Sequence, residues 1–336
     1  MRKKSPELQY LETLTTRAEL SHKEEQQLES DRKGFSGELT IDRLTQEIVP
    51  EQSLMLDDLN LQADGQRVQL DKLIQIGNKL YLIDMKDYHG QYSFRGRTWY
   101  HNGKPLTHSI FGQIERAHDI LARIFAEHHL TIAIVKVIVF TDPSAVIEIE
   151  DQSGIIVKYL WEYCDWLQKL CRAVQGTSLR QPRIPWQKVL QKYFVAPYRP
   201  ETDFAQDSRQ LWQGIICPRC GNFWWQQEHY ALQCKTCGYR EAKETAYVRT
   251  ICDYGTLYFR HNLQVSRLVE FFGEGYRKRY LKMMLQKYFI PLKYKSKKFA
   301  YHNFGVIFEY SFKDQEQYFD HLKKRATWKY LPQNRE

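Results

Sequence analysis

The stretch QLDKLIQIGNKLYLIDMKDY, residues 69–88, constrains the fold of this chain more than any other of its length. Two apolar strands flank Gly77-Asn78, and a two-residue Gly-Asn loop is a hairpin signal. With that loop Ile76 pairs with Lys79, and paired positions add up to 155. Asp71 and Asp84 satisfy the same relation, so their carboxylates are predicted to stand opposite each other on one face, with Cβ atoms about 4.5–5.5 Å apart. Lys86, two residues beyond Asp84, falls on that face as well. Like charges so placed destabilise a sheet. A divalent cation between them removes the conflict, and hard Mg²⁺ takes one or two carboxylates together with waters and phosphate oxygens. The competing reading is a solvated sheet face on which Lys86 pairs with one of the acids. A one-residue slip in register would separate the pair.

The surrounding pattern is that of an α/β layer. SIFGQIERAHDILARIFAEHH spaces Ile110, Ile114, Ile120, Leu121, Ile124 and Phe125 along one helical face. TIAIVKVIVFTD is a nearly continuous β-branched run, as in a strand covered on both sides. QYSF, RTWY and the KPL after Asn102-Gly103 read as the rest of a meander. Residues 1–33 are charged and helical. Gly34 and Gly37 are expected to interrupt, with a new amphipathic run beginning near Glu38. Helix, antiparallel strands, helix and buried strand in that order point away from a bundle or a sandwich.

A length of 336 residues suggests two or three domains, and 43% hydrophobic residues exclude a disordered chain. Five segments are expected: residues 1–33 helical, 34–150 the α/β domain, 151–200 a helical connector, 201–245 a small segment carrying two cysteine pairs, and 246–336 a basic helical domain. The boundary candidate is Val195-Ala196-Pro197-Tyr198-Arg199-Pro200. KKFAYHNFGVIFEYSF suggests a terminal hairpin.

CPRCGNFWWQQEHYALQCKTCGYR presents Cys217, Cys220, Cys234 and Cys237 as two C-x2-C pairs with 13 residues between them, each pair followed by a glycine. Four thiolates suit tetrahedral Zn²⁺, and a shell with no open position makes the ion structural. The gap accommodates a hairpin bearing Phe223, Trp224 and Trp225, tryptophans that either stack on bases or fill the small core of the zinc ribbon expected over 201–245. His229 reads as a non-ligand, and Cys164, Cys171 and Cys252 as core residues. Paired cysteines of this kind fit a reducing compartment. MRKKSPELQYLETL lacks the apolar stretch of a signal peptide, so a cytoplasmic protein is expected. No apolar run approaches the roughly 20 residues of a membrane helix.

Charge is unevenly distributed. Residues 251–336 hold 17 Lys and Arg against 8 Asp and Glu, which accounts for the whole net charge of +9. Within GYRKRYLKMMLQKYFIPLKYKSKK, aromatic residues alternate with Arg277, Lys278, Arg279, Lys282, Lys287, Lys293, Lys295, Lys297 and Lys298. Phosphate contacts that position nucleic acid without reading its sequence are the functional expectation. The alternative is a solvated helix with Leu281, Met284, Leu285 and Tyr288 inward. With QVSRLVEFFG before it and a hairpin after it, the segment suggests a helix-turn-helix with a wing.

GFSGE at 34–38, QLD at 69–71, LIDMKDYHG at 82–90, the Trp99 strand and a helix carrying Gln113 resemble the NERD (nuclease-related) domain, a family similar to PD-(D/E)XK restriction-endonuclease-like phosphodiesterases. The resemblance covers roughly residues 30–150. It implies an αβββαβ core, with Glu38 as the first-helix acid, Asp71 as the central acid, Asp84 and Lys86 as the (D/E)-x-K pair and Gln113 as the glutamine opening the second helix. The family commonly has Glu where this chain has Asp84. The resemblance further implies metal-assisted phosphodiester hydrolysis of nucleic acid, DNA foremost. Mg²⁺ or Mn²⁺ would be held by Asp71, Asp84 and the Met85 carbonyl, and Lys86 would orient the attacking water or stabilise the phosphorane charge. The alternative is a non-catalytic nucleic-acid-binding or regulatory protein with a degenerate nuclease-like domain.

Overall fold

The computed structural model describes residues 2–51, 53–150, 154–175, 185–292 and 300–303. These form two units, one of Arg2 with Ser30–Pro197, the other of Lys3–Glu29 with the chain from Tyr198 on. Lys293, Lys295, Lys297, Lys298 and most of the expected terminal hairpin lie outside the described residues. Among the described residues no helix is long and apolar enough to cross a membrane.

Helix α1 (Pro6–Leu14) starts with proline in its first turn and a Ser5 hydroxyl that accepts from Leu8 N–H. Helix α2 (His22–Ile48) runs unbroken through Gly34 and Gly37, contrary to the expected interruption. Glycine costs a helix only about 1 kcal/mol, which packing can offset. At Gly37 the reason is visible, because a Cβ there would lie 2.8 Å from Thr141 Oγ1.

Strands β1 (Met55–Ala63), β2 (Gln66–Ile76) and β3 (Lys79–Lys86) are antiparallel neighbours. The β2–β3 pairs run from Ile76↔Lys79 to Lys72↔Ile83, the register the Gly77-Asn78 loop requires. Gly77 carries the loop's positive φ, +63°. Strands β4 (Gln91–Arg95), β5 (Thr98–His101) and β6 (Lys104–Pro105) do not extend this sheet as the expected meander would. After helix α3 (Ile110–Glu127), strand β7 (Ala133–Phe140) lies parallel against β3 and occupies its second edge. The three strands therefore make a separate sheet, in which strand β8 (Val146–Ile149) pairs parallel with β4. Strand β9 (Ile156–Tyr159) completes the main sheet in the order β1-β2-β3-β7-β9, followed by helices α4 (Leu160–Gln175) and α5 (Trp186–Leu190).

Alternation sorts the main sheet into two cores. Leu80, Leu82, Ile138 and Phe140 pack with Ile114, Leu121 and Ile124 of α3. Tyr81, Ile83, Met85, Val137 and Val139 pack with Ile41 of α2 and with Tyr163 and Leu167 of α4. Both faces of β3 and β7 are covered, which explains their continuous apolar runs. The α3 residues expected to be apolar contacts (Ile110, Ile114, Ile120, Leu121, Ile124, Phe125) are all buried.

A group of charges is buried in this unit. Lys72, wholly inaccessible, lies 2.7 Å from Asp42 Oδ1 and contacts Asp57. Asp42 also accepts from Arg2 Nε at 2.9 Å, and Arg2 donates to the Asp71 carbonyl at 2.8 Å. Removing one member of a buried ion pair leaves the other charge uncompensated, at a cost of about 3–5 kcal/mol. Lys72→Ala should therefore lower the urea-unfolding free energy by about that amount, whereas Arg43→Ala, at an exposed pair with Glu47, should change it by less than about 1 kcal/mol. Equal effects would mean that the Lys72 group contributes nothing beyond a surface pair.

In the second unit, strands β10 (Trp225–Gln227), β11 (Ala231–Cys234) and β12 (Arg240–Ala242) form a three-stranded sheet. Helix α6 (Lys243–Leu257), strand β13 (Leu263–Gln264), helix α7 (Val265–Phe272), helix α8 (Lys278–Tyr288) and strand β14 (Ala300–Tyr301) follow. Arg17, just past α1, ties the N-terminal segment into this unit: it donates to Gly214 O at 3.0 Å, pairs with Asp253 at 2.8 Å and stacks over Phe271.

Candidate active site and metal centre

The β2–β3 ladder stops one rung before Asp71 and Asp84. There Asp71 Oδ2 takes the place of a backbone partner and accepts the Met85 N–H at 2.7 Å. Asp84 and Lys86 project to the α3 side of β3, on the face of Leu80 and Leu82. The Lys86 ammonium lies 3.0 Å from Asp84 Oδ1 and 2.8 Å from Asp84 Oδ2. It also donates to Gln113 Oε1 at 2.8 Å. Gln113 occupies the first turn of α3, whose start is set by the Ser109 hydroxyl accepting from Gly112 N–H. Asp71, Asp84 and Lys86 are each less than 10% exposed.

The electrostatics follow from this burial. Desolvation pushes the Asp84 carboxyl above its ordinary range, with Lys86 opposing and Asp71 reinforcing the shift. Lys86 is held above the usual lysine value: its desolvation is outweighed by Asp84 and Asp71 together, so it is a cation at neutral pH. Glu38 on α2 is raised to about 7 by burial, against the Arg2 guanidinium 3.3 Å away and with support from Asp71 and Asp58.

Asp58 is the residue the sequence reading missed. It lies at φ +50° in β1, accepts from Gln69 Nε2 at 3.0 Å, and has its carboxyl raised by burial. The β1–β2 register runs Asp57↔Lys72 and then Leu59↔Leu70, skipping Asp58 and Asp71, which face each other across the gap. On both strands the inward phase changes there. Leu56 and Leu73 share a core with Leu59, Leu61, Val68 and Leu70. The signal was available: Asp64-Gly65 is a two-residue loop with both residues at positive φ, and the rule used for Gly77-Asn78 places Asp58 opposite Asp71. Asp58, Asp71 and Asp84 thus succeed one another across three adjacent strands.

In the second unit the four cysteines converge. Cys217 and Cys237 Sγ are 3.6 Å apart, as are Cys220 and Cys234, and all four sulfurs lie within 4.8 Å of one another. A tetrahedral ion with metal–sulfur bonds of about 2.3 Å needs sulfurs about 3.8 Å apart. Disulfide sulfurs would be bonded at about 2.05 Å. Backbone N–H groups of Arg219 and Cys220 point at Cys217, and those of Thr236 and Cys237 at Cys234. Gly221 and Gly238, at φ +72° and +71°, turn the chain after each pair. The cluster can hold a metal ion. Among the described residues no other set of three or more His, Cys, Asp or Glu brings its ligand atoms so close, the sheet carboxylates included.

His229 is exposed and outside this cluster, and Cys171 and Cys252 are buried in helices. The two tryptophans divide: Trp225 donates its indole N–H to Ile215 O at 2.7 Å, while Trp224 is 69% exposed. Arg277, Lys278 and Arg279 are exposed at the start of α8. Lys282 is half-buried on that helix, and Lys287 is held by Glu244 at 2.8 Å.

No similar protein was found among curated sequences. Among solved structures, the crystal structure of a protein of unknown function, AF1548, is similar over 48% of this chain and 80% of its own, at 14% identity and a TM-score of 0.22, too low to support a structural argument. Residues 33–141, the stretch that carries Glu38, Asp58, Asp71, Asp84, Lys86 and Gln113, match the model of the nuclease-related domain (NERD) family.

Proposed function

We propose that the chain hydrolyses phosphodiester bonds of nucleic acid, with DNA as substrate, at the edge where Asp71, Asp84 and Lys86 meet. The observation that carries this reading is the buried Lys86 ammonium shared by Asp84 and Gln113, two residues past the Asp84 that stands opposite Asp71, within the stretch that matches the nuclease-related domain. Buried charges rarely stabilise a fold better than apolar residues would, so their retention suggests chemistry.

The residues suit a divalent cation. The Asp84 carboxylate is buried and offers two oxygens, and the carboxylates of Asp71 and Asp84 belong to adjacent strands. Mg²⁺ or Mn²⁺ held by Asp71, Asp84 and the Met85 carbonyl would supply polarisation of the scissile phosphate and a water of lowered pKa. Met85 is well placed for this. Its N–H leaves the strand toward Asp71, and within a strand the carbonyl of the same residue leaves on the same edge. Lys86, cationic at neutral pH, serves as an electrostatic partner for charge developing on phosphate and not as a general base. Gln113 fixes the direction of that ammonium. Glu38 and Asp58, both raised by burial, stand beside Asp71 where a second ion or a metal-bound water would be held. Zn²⁺ on Cys217, Cys220, Cys234 and Cys237 is assigned a structural role, and the basic C-terminal region is assigned to substrate binding.

A second reading, a non-catalytic nucleic-acid-binding protein, is favoured by Arg2, whose guanidinium sits where a cation would balance Glu38 and Asp42. Incubation with plasmid and single-stranded DNA, with Mg²⁺, Mn²⁺ or neither, separates the two. Cleavage that requires the added cation is expected. Binding of DNA without cleavage under any of these conditions would reject the hydrolase.

A further inference from the structure

The segment after the cysteine cluster has a chain order that neither metal site explains. It runs helix (α6), strand (β13), helix (α7), helix (α8) and strand (β14). Leu263 and Gln264 of β13 pair with Tyr301 and Ala300 of β14. On its other edge β14 receives residues 290–292: Pro291 bridges Tyr301, Leu292 N–H donates to Ala300 O at 3.0 Å, and His302 N–H donates to Ile290 O at 2.9 Å. Residues 290–292 thus lie along the edge of β14 opposite β13. Helices α7 and α8 are joined by residues 273–277, opened by Gly273 at φ +69°. Two packed helices joined by a short glycine-containing turn, with the short β13–β14 pairing beside them, have the arrangement of a helix-turn-helix.

Which surface this arrangement offers follows from what it buries. Leu281, Met284 and Leu285 of α8 are buried, as are Leu268, Phe271 and Phe272 of α7 and Leu263 of β13. Asn303 locks the last strand to α6 by donating to Gly255 O, Tyr258 O and His261 O. On α8 this leaves Arg279, Lys282, Met283 and Gln286, spaced i, i+3, i+4 and i+7, as one outward stripe. Met283 is 48% exposed. The first turn of α8 has no acid, and Arg277, Lys278 and Arg279 crowd the positive end of the helix dipole. Cations are disfavoured at that end unless an anion approaches. Among the described residues neither Lys278 nor Arg279 has an acidic partner. Lys243 at the start of α6 has its pKa lowered by burial and by the charge of Arg277, a further sign that positive charge is concentrated here.

We propose that α8 is a recognition helix that enters the major groove of B-form duplex DNA, with Arg277, Lys278 and Arg279 on phosphates and Met283 and Gln286 toward base edges. This deepens the nucleic-acid reading above and rests on it. The groove geometry selects the partner. An α-helix with its side chains is about 10–12 Å across, and the B-DNA major groove is about 12 Å wide. The major groove of A-form RNA is deep and too narrow to admit it. Gln reads adenine edges by paired hydrogen bonds, and an apolar side chain such as Met283 can contact a thymine methyl.

The test is fluorescence anisotropy with the full chain in the Asp84→Leu, Lys86→Met background without added divalent cation, so that the probe survives whether or not the protein is a nuclease. Labelled duplex DNA and an RNA duplex of the same sequence are compared. Arg279→Glu and Met283→Glu, both on exposed positions, are each expected to weaken duplex-DNA binding about tenfold or more, and Arg279→Ala to reduce the salt slope by about one. Lys169→Glu, an equal charge change on the exposed side of α4, is expected to leave binding unchanged. The RNA duplex should bind at least about tenfold more weakly than DNA. Unchanged DNA affinity in Arg279→Glu and Met283→Glu overturns the assignment, and so does an RNA duplex bound as tightly as DNA. Should Arg279→Glu lower the melting temperature, the exposed Gln286→Ala substitution carries the same decision. Absence of metal-dependent cleavage with α8-dependent binding would reject the hydrolase and keep the recognition helix. Cleavage with α8-insensitive binding would do the reverse.

Discussion

Removal of metal from the four cysteines is expected to unfold the three-stranded sheet around them, residues 212–242, while the sheet of the first unit remains intact. Structural zinc contributes about 10–16 kcal/mol of apparent binding free energy at neutral pH, comparable to the whole stability of a typical domain. The residues it would organise have little else to hold them. The three strands β10, β11 and β12 are three or four residues long, and so few short strands make a marginal unit in water. Their buried apolar groups include Ala231, Leu232 and the half-buried Trp225. Cys217→Ser with Cys234→Ser breaks both C-x2-C pairs at once. Elemental analysis of the purified protein should give one zinc per chain, lost in the double variant. Limited proteolysis should then cut within residues 212–242 in the variant and spare the β1–β9 sheet. A wild-type chain without stoichiometric zinc, or a double variant with wild-type proteolysis and melting, would dismiss the metal centre.

The second large effect concerns Asp84 and Lys86. Lys86→Ala should reduce metal-dependent cleavage by about 10²–10³-fold, the range seen when one preorganised charge-stabilising group is removed. Asp84→Asn should do at least as much, because it takes a carboxylate from the proposed cation site. Gln113→Ala, which frees the ammonium without removing it, should cost less than either. Stability should move differently. Lys86→Ala strands a buried carboxylate and should destabilise by about 3–5 kcal/mol, whereas Asp84→Leu with Lys86→Met replaces the pair by apolar residues and should be neutral or stabilising by about 1–4 kcal/mol. An inactive double variant that melts at or above the wild-type temperature is the signature of a pair kept for chemistry at the expense of stability. Cleavage undiminished in Lys86→Ala would remove that residue from the mechanism, and a double variant much less stable than wild type would make the pair a structural one.

Legibility followed chain separation. The register of β2 and β3 could be read because a two-residue loop admits one pairing and alternation then assigns every side chain to a face. The α3 face and the cysteine pairs were local patterns of the same kind. The Asp64-Gly65 loop carried an equally plain signal, and its neglect is why Asp58 was overlooked. Gly37 shows the opposite case. Its composition suggested a break in the helix, but its function is to let α2 approach Thr141, a residue that local propensity does not bring near.

What the sequence determined by itself is therefore the set of features closed over a few residues: the hairpin axis, the amphipathic faces and the thiol spacing, all fixed by loop length and side-chain period. Only the tertiary structure decided which distant charges share a buried space. Arg2, Asp42 and Asp71 meet across separations of 40 and 69 residues, and Lys86 finds Gln113 because β7 places α3 over β3. The strands at 91–105 paired away from the main sheet for the same reason, since β7 had already taken the edge they would have joined. Long-range pairing of this kind is set by competition for burial and hydrogen bonds among all the elements at once, and no local stretch encodes its outcome.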